Sequence, residues 1–389
     1  MKKGKYGTQR KNKMKRICII SGNPNFLGGV SIYTKNVADY VKKKVNVFWV
    51  YKGEKNRIYR KDGISFVELS APRIYILDEI IFSSKIKDFL NKNYFDVINP
   101  HAIWGYWLKG YKRKRKQKII HTYHGSTYHF YKNHRERNSY IKKIVAGLFM
   151  FFGRKIEEPP WRKADKIICV SEHVKREIEE LYGKRNNVEV IGAGIDLDNF
   201  KPRAKEVIRK KLKLEKDRIY GLYIGRGGYW TKGLDRVIKI SKEIYKLSKD
   251  YQLIVIGSDK GKVKNLLNNN FVTFISLITR DKLPYYYNAA DFLLNLSRYE
   301  GGNPTLTTGE AMASGCLVCC SKDSKQEIIK NKINGLVMGG NYKQEATAIL
   351  KILKNERQRD MLINSSIKII KRYSISNIGE KYLKFILEK

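Results

Sequence analysis

The chain alternates short apolar runs with longer amphipathic stretches, and the two spacings point to different elements. RICIISG (16–22) is an apolar run closed by a turn. Gly28–Lys44 follows, with Val30, Tyr33, Val37, Ala38, Tyr40 and Val41 at helical spacing. VNVFWVY, FDVINPH, KIIHTYHG and DKIICVS read as further buried strands, each with a helical segment before the next, and VEVIGAGID closes this half. After a polar, charged connector (Asn199–Asp217) the rhythm restarts: RIYGLYIGR, YQLIVIGS, FVTFIS, DFLLNLS and CLVCCS read as strands separated by helices. Such alternation predicts parallel sheets covered by helices. The expected class is α/β, with two Rossmann-like, doubly wound parallel-sheet domains facing a cleft, residues 1–198 and 199–374. In such sheets ligands sit at the carboxyl ends of the strands.

Composition narrows the partners. At 389 residues the chain exceeds one ordinary core, and 42% hydrophobic content argues against wholesale disorder. The formal charge of +42, from 79 Lys+Arg against 37 Asp+Glu, is spread over both halves. That field attracts nucleic acid, an anionic membrane surface or phosphorylated substrates, without choosing among them. The sharpest basic run is Lys112–Lys118, which is either a binding patch or a solvated loop. Tyr111, Tyr123 and Tyr128 around it form no RNA-binding motif, so membrane contact is the stronger expectation and nucleic acid the weaker.

The cysteines lie in apolar, strand-like runs and read as buried free thiols of a reducing compartment. No signal peptide follows the basic N-terminus, and no run approaches a membrane span. A cytoplasmic protein is expected, peripheral on the inner membrane face if it binds lipid. Ile144–Gly153, flanked by Lys142, Lys143, Arg154 and Lys155, is either a helix on a membrane surface or a core helix. His121, His124, His129 and His134 crowd one segment, but no cysteine is near, and His121 and His124 on one extended strand would face opposite ways. No metal site is expected. SGNPNFLGG lacks the G-x-G-x-x-G pattern, which argues against a nicotinamide enzyme.

The stretch SRYEGGNPTLTTGEAMASG (297–315) carries two carboxylates, Glu300 and Glu310, around a helix start. Asn303 as N-cap, Pro304 at the first helical position and Gly315 as stop predict a helix over 304–314. Glu310 then shares a face with Thr307, Leu306 and Asn303, and leans toward the N-terminus. That end offers unpaired N–H groups and a positive dipole to a phosphate. Glu300 stands in the loop after DFLLNLS. Together they suggest a nucleotide-sugar site, with phosphate on the helix end and hydroxyls on the acids. The plain alternative is a solvated helix residue and an ordinary loop residue.

From about Lys15 onward the chain resembles the retaining glycosyltransferase family 4, of the GT-B fold. EAMASGCLVCC matches the second half of that family's two-glutamate motif. IIHTYHG, ADKIICVSEHVKREI, VIGAGIDLDNFKP, YIGRGGYWTKGLDRVIK, YYYNAADFLLNLS and IIKNKINGLV resemble its other segments, in order. Glu300 and Glu310 stand ten apart rather than the usual eight, which puts the role of Glu300 in question. The resemblance implies that Arg226 and Lys232 pair with a diphosphate and that Glu310 holds ribose hydroxyls. It places Glu300 on the transferred sugar, and Gly28 and Gly29 in a loop closing on phosphates or acceptor. His124 would touch the sugar or the attacking acceptor. Leu306 and Thr307 belong with the donor-binding helix end. The implied reaction moves a sugar from a nucleoside diphosphate, UDP being the commonest, to an acceptor hydroxyl with retention and without a metal or other cofactor. Such an acceptor would be a glycan or lipid-linked. The C-terminal segment 375–389 would return to the first domain. The rival reading is a non-catalytic polyanion- or nucleic-acid-binding protein on the same scaffold.

Overall fold

The computed structural model describes residues 14–26, 28–71, 77–135, 140–225, 229–257 and 268–388. The first sheet has eight strands: β1 (Arg16–Ile20), β2 (Asn46–Gly53), β3 (Arg57–Lys61), β4 (Ile64–Ser70), β5 (Val97–Pro100), β6 (Lys118–Tyr123), β7 (Lys166–Cys169) and β8 (Val188–Val190). Their order is β3-β4-β2-β1-β5-β6-β7-β8. All pairs are parallel except β3–β4. The second sheet orders β9 (Ile219–Gly225), β10 (Tyr251–Gly257), β11 (Val272–Ser276), β12 (Phe292–Asn295), β13 (Leu317–Ser321) and β14 (Leu336–Met338) as β11-β10-β9-β12-β13-β14, all parallel.

The central strands β1, β12 and β13 are buried along nearly their whole length, because helices cover both faces. This is why they read as continuous apolar runs. The antiparallel β3–β4 hairpin is absent from the sequence reading. It turns at Asp62–Gly63, both at positive φ (48° and 81°), as a two-residue primed turn requires. β3 (RIYRK) is exposed and charged at the sheet edge, so it shows no apolar run.

Two crossings join the sheets. The first passes through Ile195 and the second through Tyr373–Ile375. They are hydrogen-bonded to each other, Ile195 N–H to Tyr373 O at 2.7 Å and Ile375 N–H to Ile195 O at 3.0 Å. The final helix, Ile375–Leu387, then packs on the first sheet. Ile378, Tyr382, Leu383 and Ile386 are buried in that core, and Tyr40 Oη donates to Glu380 at 2.8 Å.

All five cysteines are buried free thiols. The Lys112–Lys118 run is partly consumed by the fold: Arg113 pairs with Asp165 at 2.6 Å, and Lys114 Nζ donates to the carbonyls of Asn91 and Asn93. Ile144–Gly153 lies inside a long helix, Tyr140–Lys163. Ile144, Leu148, Phe151 and Phe152 on it are exposed rather than core, so the core-helix alternative does not hold for this face. Among the described residues no helix is long and apolar enough to cross a membrane.

Candidate active site

A cavity of about 470 Å³ opens between the carboxyl ends of the two sheets. It lies where parallel sheets leave loops and helix N-termini free to meet a ligand. One wall is the start of the helix Gly29–Val41, whose N-cap Gly28 has no side chain to satisfy the first N–H groups. Gly28 and Gly29 both line the cavity, and a Cβ on Gly29 would meet nothing within 4 Å.

The opposite wall is the helix Leu306–Ala313. It begins two residues later than the sequence predicts. Thr305, not Asn303, is the N-cap, its hydroxyl accepting from Thr308 N at 3.2 Å. Asn303 is used elsewhere, its Oδ1 accepting from Ile328 N at 2.9 Å. The predicted stop stands: Gly315 has φ 73°. Leu306, Thr307 and Glu310 all line the cavity.

Glu310 is 1% exposed. It is not a solvated helix residue. A buried carboxylate needs partners: the Arg280 guanidinium forms an ion pair with it, and Tyr287 Oη donates to Oε2 at 3.1 Å. Burial first, and then Glu310, push the Tyr287 hydroxyl well above its ordinary range, so it stays a donor. Arg280 also stacks on Phe200, 5.2 Å from the ring centre. Sequence reasoning missed Arg280. It sits in a polar turn, Arg280–Lys282, far from the two-glutamate stretch in sequence. The one available signal is a lone arginine following the carboxyl end of β11.

Glu300 and Lys232 meet directly, with Lys232 Nζ 2.8 and 2.9 Å from the two carboxylate oxygens. They come from different loops, and Arg298 locks those loops together. Its guanidinium pairs bidentately with Asp235 at 2.7 and 2.7 Å, donates to Trp230 O at 2.6 Å, and lies 3.1 Å from the Trp230 ring centre. Both Lys232 and Glu300 line the cavity. Arg226, predicted beside Lys232, lies outside the described residues.

His124 follows β6 at the cavity wall. Its Nε2 is 3.0 Å from His101 Nδ1, and its ring meets Tyr33 edge-on at 4.9 Å. Burial lowers its pKa to about 3, so the imidazole is neutral. His121 lies behind it on β6, buried and also lowered to about 3 by burial, with the nearby His124 adding to the effect. Among the described residues no group of three or more His, Cys, Asp or Glu could hold a metal. The carbonyl of His124 abuts Gly301 from the other half, where a Cβ would stand 1.9 Å away. Only glycine allows that approach.

This arrangement places two cations, two carboxylates, two helix N-termini and a neutral imidazole around one cleft between two parallel-sheet layers. It defines a GT-B glycosyltransferase scaffold. The family model for Glycosyltransferase Family 4 matches residues 27–199, and that for Glycosyl transferases group 1 matches residues 204–369. The chain belongs to the group 1 glycosyltransferases of family 4 and is an enzyme of that class.

It is 24% identical over 268 residues to a glycosyltransferase of Methanocaldococcus jannaschii, a match spanning 67% of this chain and 65% of that one. It is 23% identical over 387 residues to the alpha-monoglucosyldiacylglycerol synthase of Streptococcus pneumoniae, covering 93% of this chain and 83% of that one. Among solved structures it resembles sucrose-phosphate synthase from Thermosynechococcus elongatus (TM-score 0.77, 20% identity, 95% and 98% of the chains). It also resembles HepE of Anabaena in complex with UDP (TM-score 0.70, 15% identity, 97% and 100%).

Proposed function

We propose that the protein transfers a sugar from a nucleoside-diphosphate sugar, with UDP as the nucleotide, to a hydroxyl of a lipid-linked or glycan acceptor with retention at the anomeric carbon. The observation that carries this reading is the buried Glu310 in the cavity lining, held by Arg280 and Tyr287. A desolvated carboxylate so placed offers fixed acceptors for the two ribose hydroxyls. The Leu306–Ala313 helix start lies beside it for phosphate. Lys232, with Arg226, takes the charge that grows on the leaving diphosphate. In this reading Lys232 leaves Glu300 for the phosphate, and Glu300 turns to hydroxyls of the transferred sugar. The reaction needs no metal, because those cations supply the positive charge. Gly28 and Gly29 bring backbone N–H groups to the phosphates or acceptor, and neutral His124 accepts from a hydroxyl. The two glutamates act as binding groups, not as an acid and nucleophile of the kind a retaining hydrolase holds about 5–5.5 Å apart. The likeness to HepE, solved with UDP, supports the nucleotide. The pneumococcal relative, named for a glucosylated diacylglycerol, supports a lipid acceptor.

The acceptor side is proposed to lie against a membrane. Ile144, Leu148, Phe151 and Phe152 form one exposed apolar face, at spacings of four, seven and eight, bordered by exposed Lys143, Arg154 and Lys155. That combination suits a surface of anionic lipid.

The test is transfer from UDP-hexoses to diacylglycerol in anionic vesicles, with the product's anomeric configuration read by NMR. The account expects the donor's α-linkage in the product, at a rate unchanged by a chelator. An inverted product, or a rate abolished by the chelator and restored by a divalent cation, would refute the corresponding part.

A further inference from the structure

His124 does not stand alone behind the cavity; it is the outer end of a buried hydrogen-bonded chain whose polarity can be worked out atom by atom. The inner end is Asn99 on β5. Its Nδ2 donates to Ile120 O and to Thr122 Oγ1. A backbone carbonyl can only accept, so the amide orientation is fixed and Oδ1 is left as an acceptor. Two groups converge on that oxygen: Tyr382 Oη and, at 2.8 Å, His101 Nε2. Tyr382 is fully buried, and burial pushes its hydroxyl well above the ordinary range, so it donates.

His101 must therefore carry its proton on Nε2. It carries only that one, because burial, with His124 and His121 nearby, holds its pKa well below 6.5. Its Nδ1 is then a bare lone pair. His124 Nε2 lies 3.0 Å from it. Thr34 Oγ1 also lies near it, further off at 3.3 Å, and shares a 2.7 Å contact with Ser21 Oγ in which either hydroxyl can donate. Two bare nitrogens facing each other would repel, so the neutral His124 ring carries its proton on Nε2.

We infer that Asn99 and His101 are positioning residues that fix the tautomer of His124, leaving a hydrogen-bond-accepting Nδ1 for a substrate hydroxyl. The inference deepens the proposed function and rests on His124 meeting a substrate. In the opposite tautomer the same nitrogen would present an N–H, and a hydroxyl hydrogen would find no acceptor. A ring's free nitrogen is set by the bond its other nitrogen makes. Tyr382 arrives from the Ile375–Leu387 helix, so this chain ties the last element of the polypeptide to the reaction cleft.

The experiment combines ¹⁵N-histidine NMR with kinetics on the full-length protein. In the wild type, His124 is expected to show a protonated Nε2 and a bare Nδ1 from pH 6 to 8. H101Q, which keeps both an acceptor and a donor, should retain that tautomer and most of the activity. H101F, which keeps bulk but removes the acceptor, should show a mixed tautomer. Its kcat/KM should fall about tenfold, the worth of one neutral hydrogen bond, with the UDP-induced thermal shift unchanged. A wild-type His124 protonated on Nδ1 overturns the inference. So does an H101F variant with unaltered tautomer and rate. A correct tautomer in a protein that transfers no sugar supports the relay and contradicts the proposed function instead.

Discussion

At the scale of single residues the site is held by charge pairs that a ligand can rearrange to different degrees. Glu310 is buried and its partner Arg280 is largely so, which makes this pair costly to break from one side. Glu310→Ala should destabilise the fold by about 1–3 kcal/mol in urea denaturation, because Arg280 loses its counter-charge. Glu310→Gln also removes that counter-charge, but keeps the volume and the bond from Tyr287, so it should cost less than the alanine change. The Lys232–Glu300 pair is more open, with the lysine side chain 39% exposed, so Lys232→Ala should change stability by no more than about 1 kcal/mol. Equal stability losses for Glu310→Ala and Lys232→Ala would contradict this contrast. These roles were unequally legible in the sequence. Glu310 was marked by its spacing from a helix start, and Lys232 by the family resemblance of the motif around it. Arg280 and His101 are assigned by contacts across 30 and 23 positions with Glu310 and His124, which no local pattern records.

At the scale of elements, the helix Tyr140–Lys163 works on two faces. Its inner face supports the loop after His124. A Cβ on Gly153 would stand 2.5 Å from Thr127, and Thr127 N donates to Glu157 at 3.0 Å. Burial, with the Glu177 charge adding to it, raises the Glu157 carboxyl to about 7. Its folded pKa exceeds the unfolded one, so the native state binds the extra proton between about 4.5 and 7. Stability should therefore fall as pH rises through that window. Glu157→Gln should flatten the thermal midpoint there, and an unchanged pH profile would contradict the assignment. The outer face carries the exposed Phe151 and Phe152. Replacing both by Ser should lower binding to anionic vesicles at least tenfold, since each buries roughly 1.5–3 kcal/mol of apolar surface on a membrane, with no loss of fold in circular dichroism. The helix itself was legible only as a ten-residue apolar core. Its full length includes Pro159 and Pro160, a residue type that removes a helical N–H and weakens a helical pattern. Buried parallel strands were the clearest elements in the sequence, because two covered faces leave an unbroken apolar run. The exposed edge strand β3 had no such mark.

At the scale of the whole molecule, the cleft is assembled by contacts between its two walls. Tyr299 Oη donates to Glu177 at 2.7 Å and accepts from Ser126 N at 3.2 Å, while Ser171 Oγ donates to Gly301 O at 2.7 Å. Gly301 is the tightest point, and Gly301→Ala must push His124 away. An ångström of misplacement at reacting groups costs on the order of 100-fold in rate. This variant should lose about that much kcat/KM while still binding UDP, and a rate within twofold of wild type would show that the walls need not meet there. The net charge of +42 acts over the same scale but without selectivity. The decisive measurement is therefore a thermal-shift panel of UDP, GDP, ADP, CDP, dTDP and inorganic diphosphate on the wild type and on Glu310→Gln. A ligand at 100 times its Kd adds about 2.7 kcal/mol, a shift of several degrees. UDP alone should shift the wild type strongly, and Glu310→Gln should lose most of that shift. Equal shifts by every polyanion, unchanged in the variant, would contradict it and leave a basic surface binding phosphate indiscriminately.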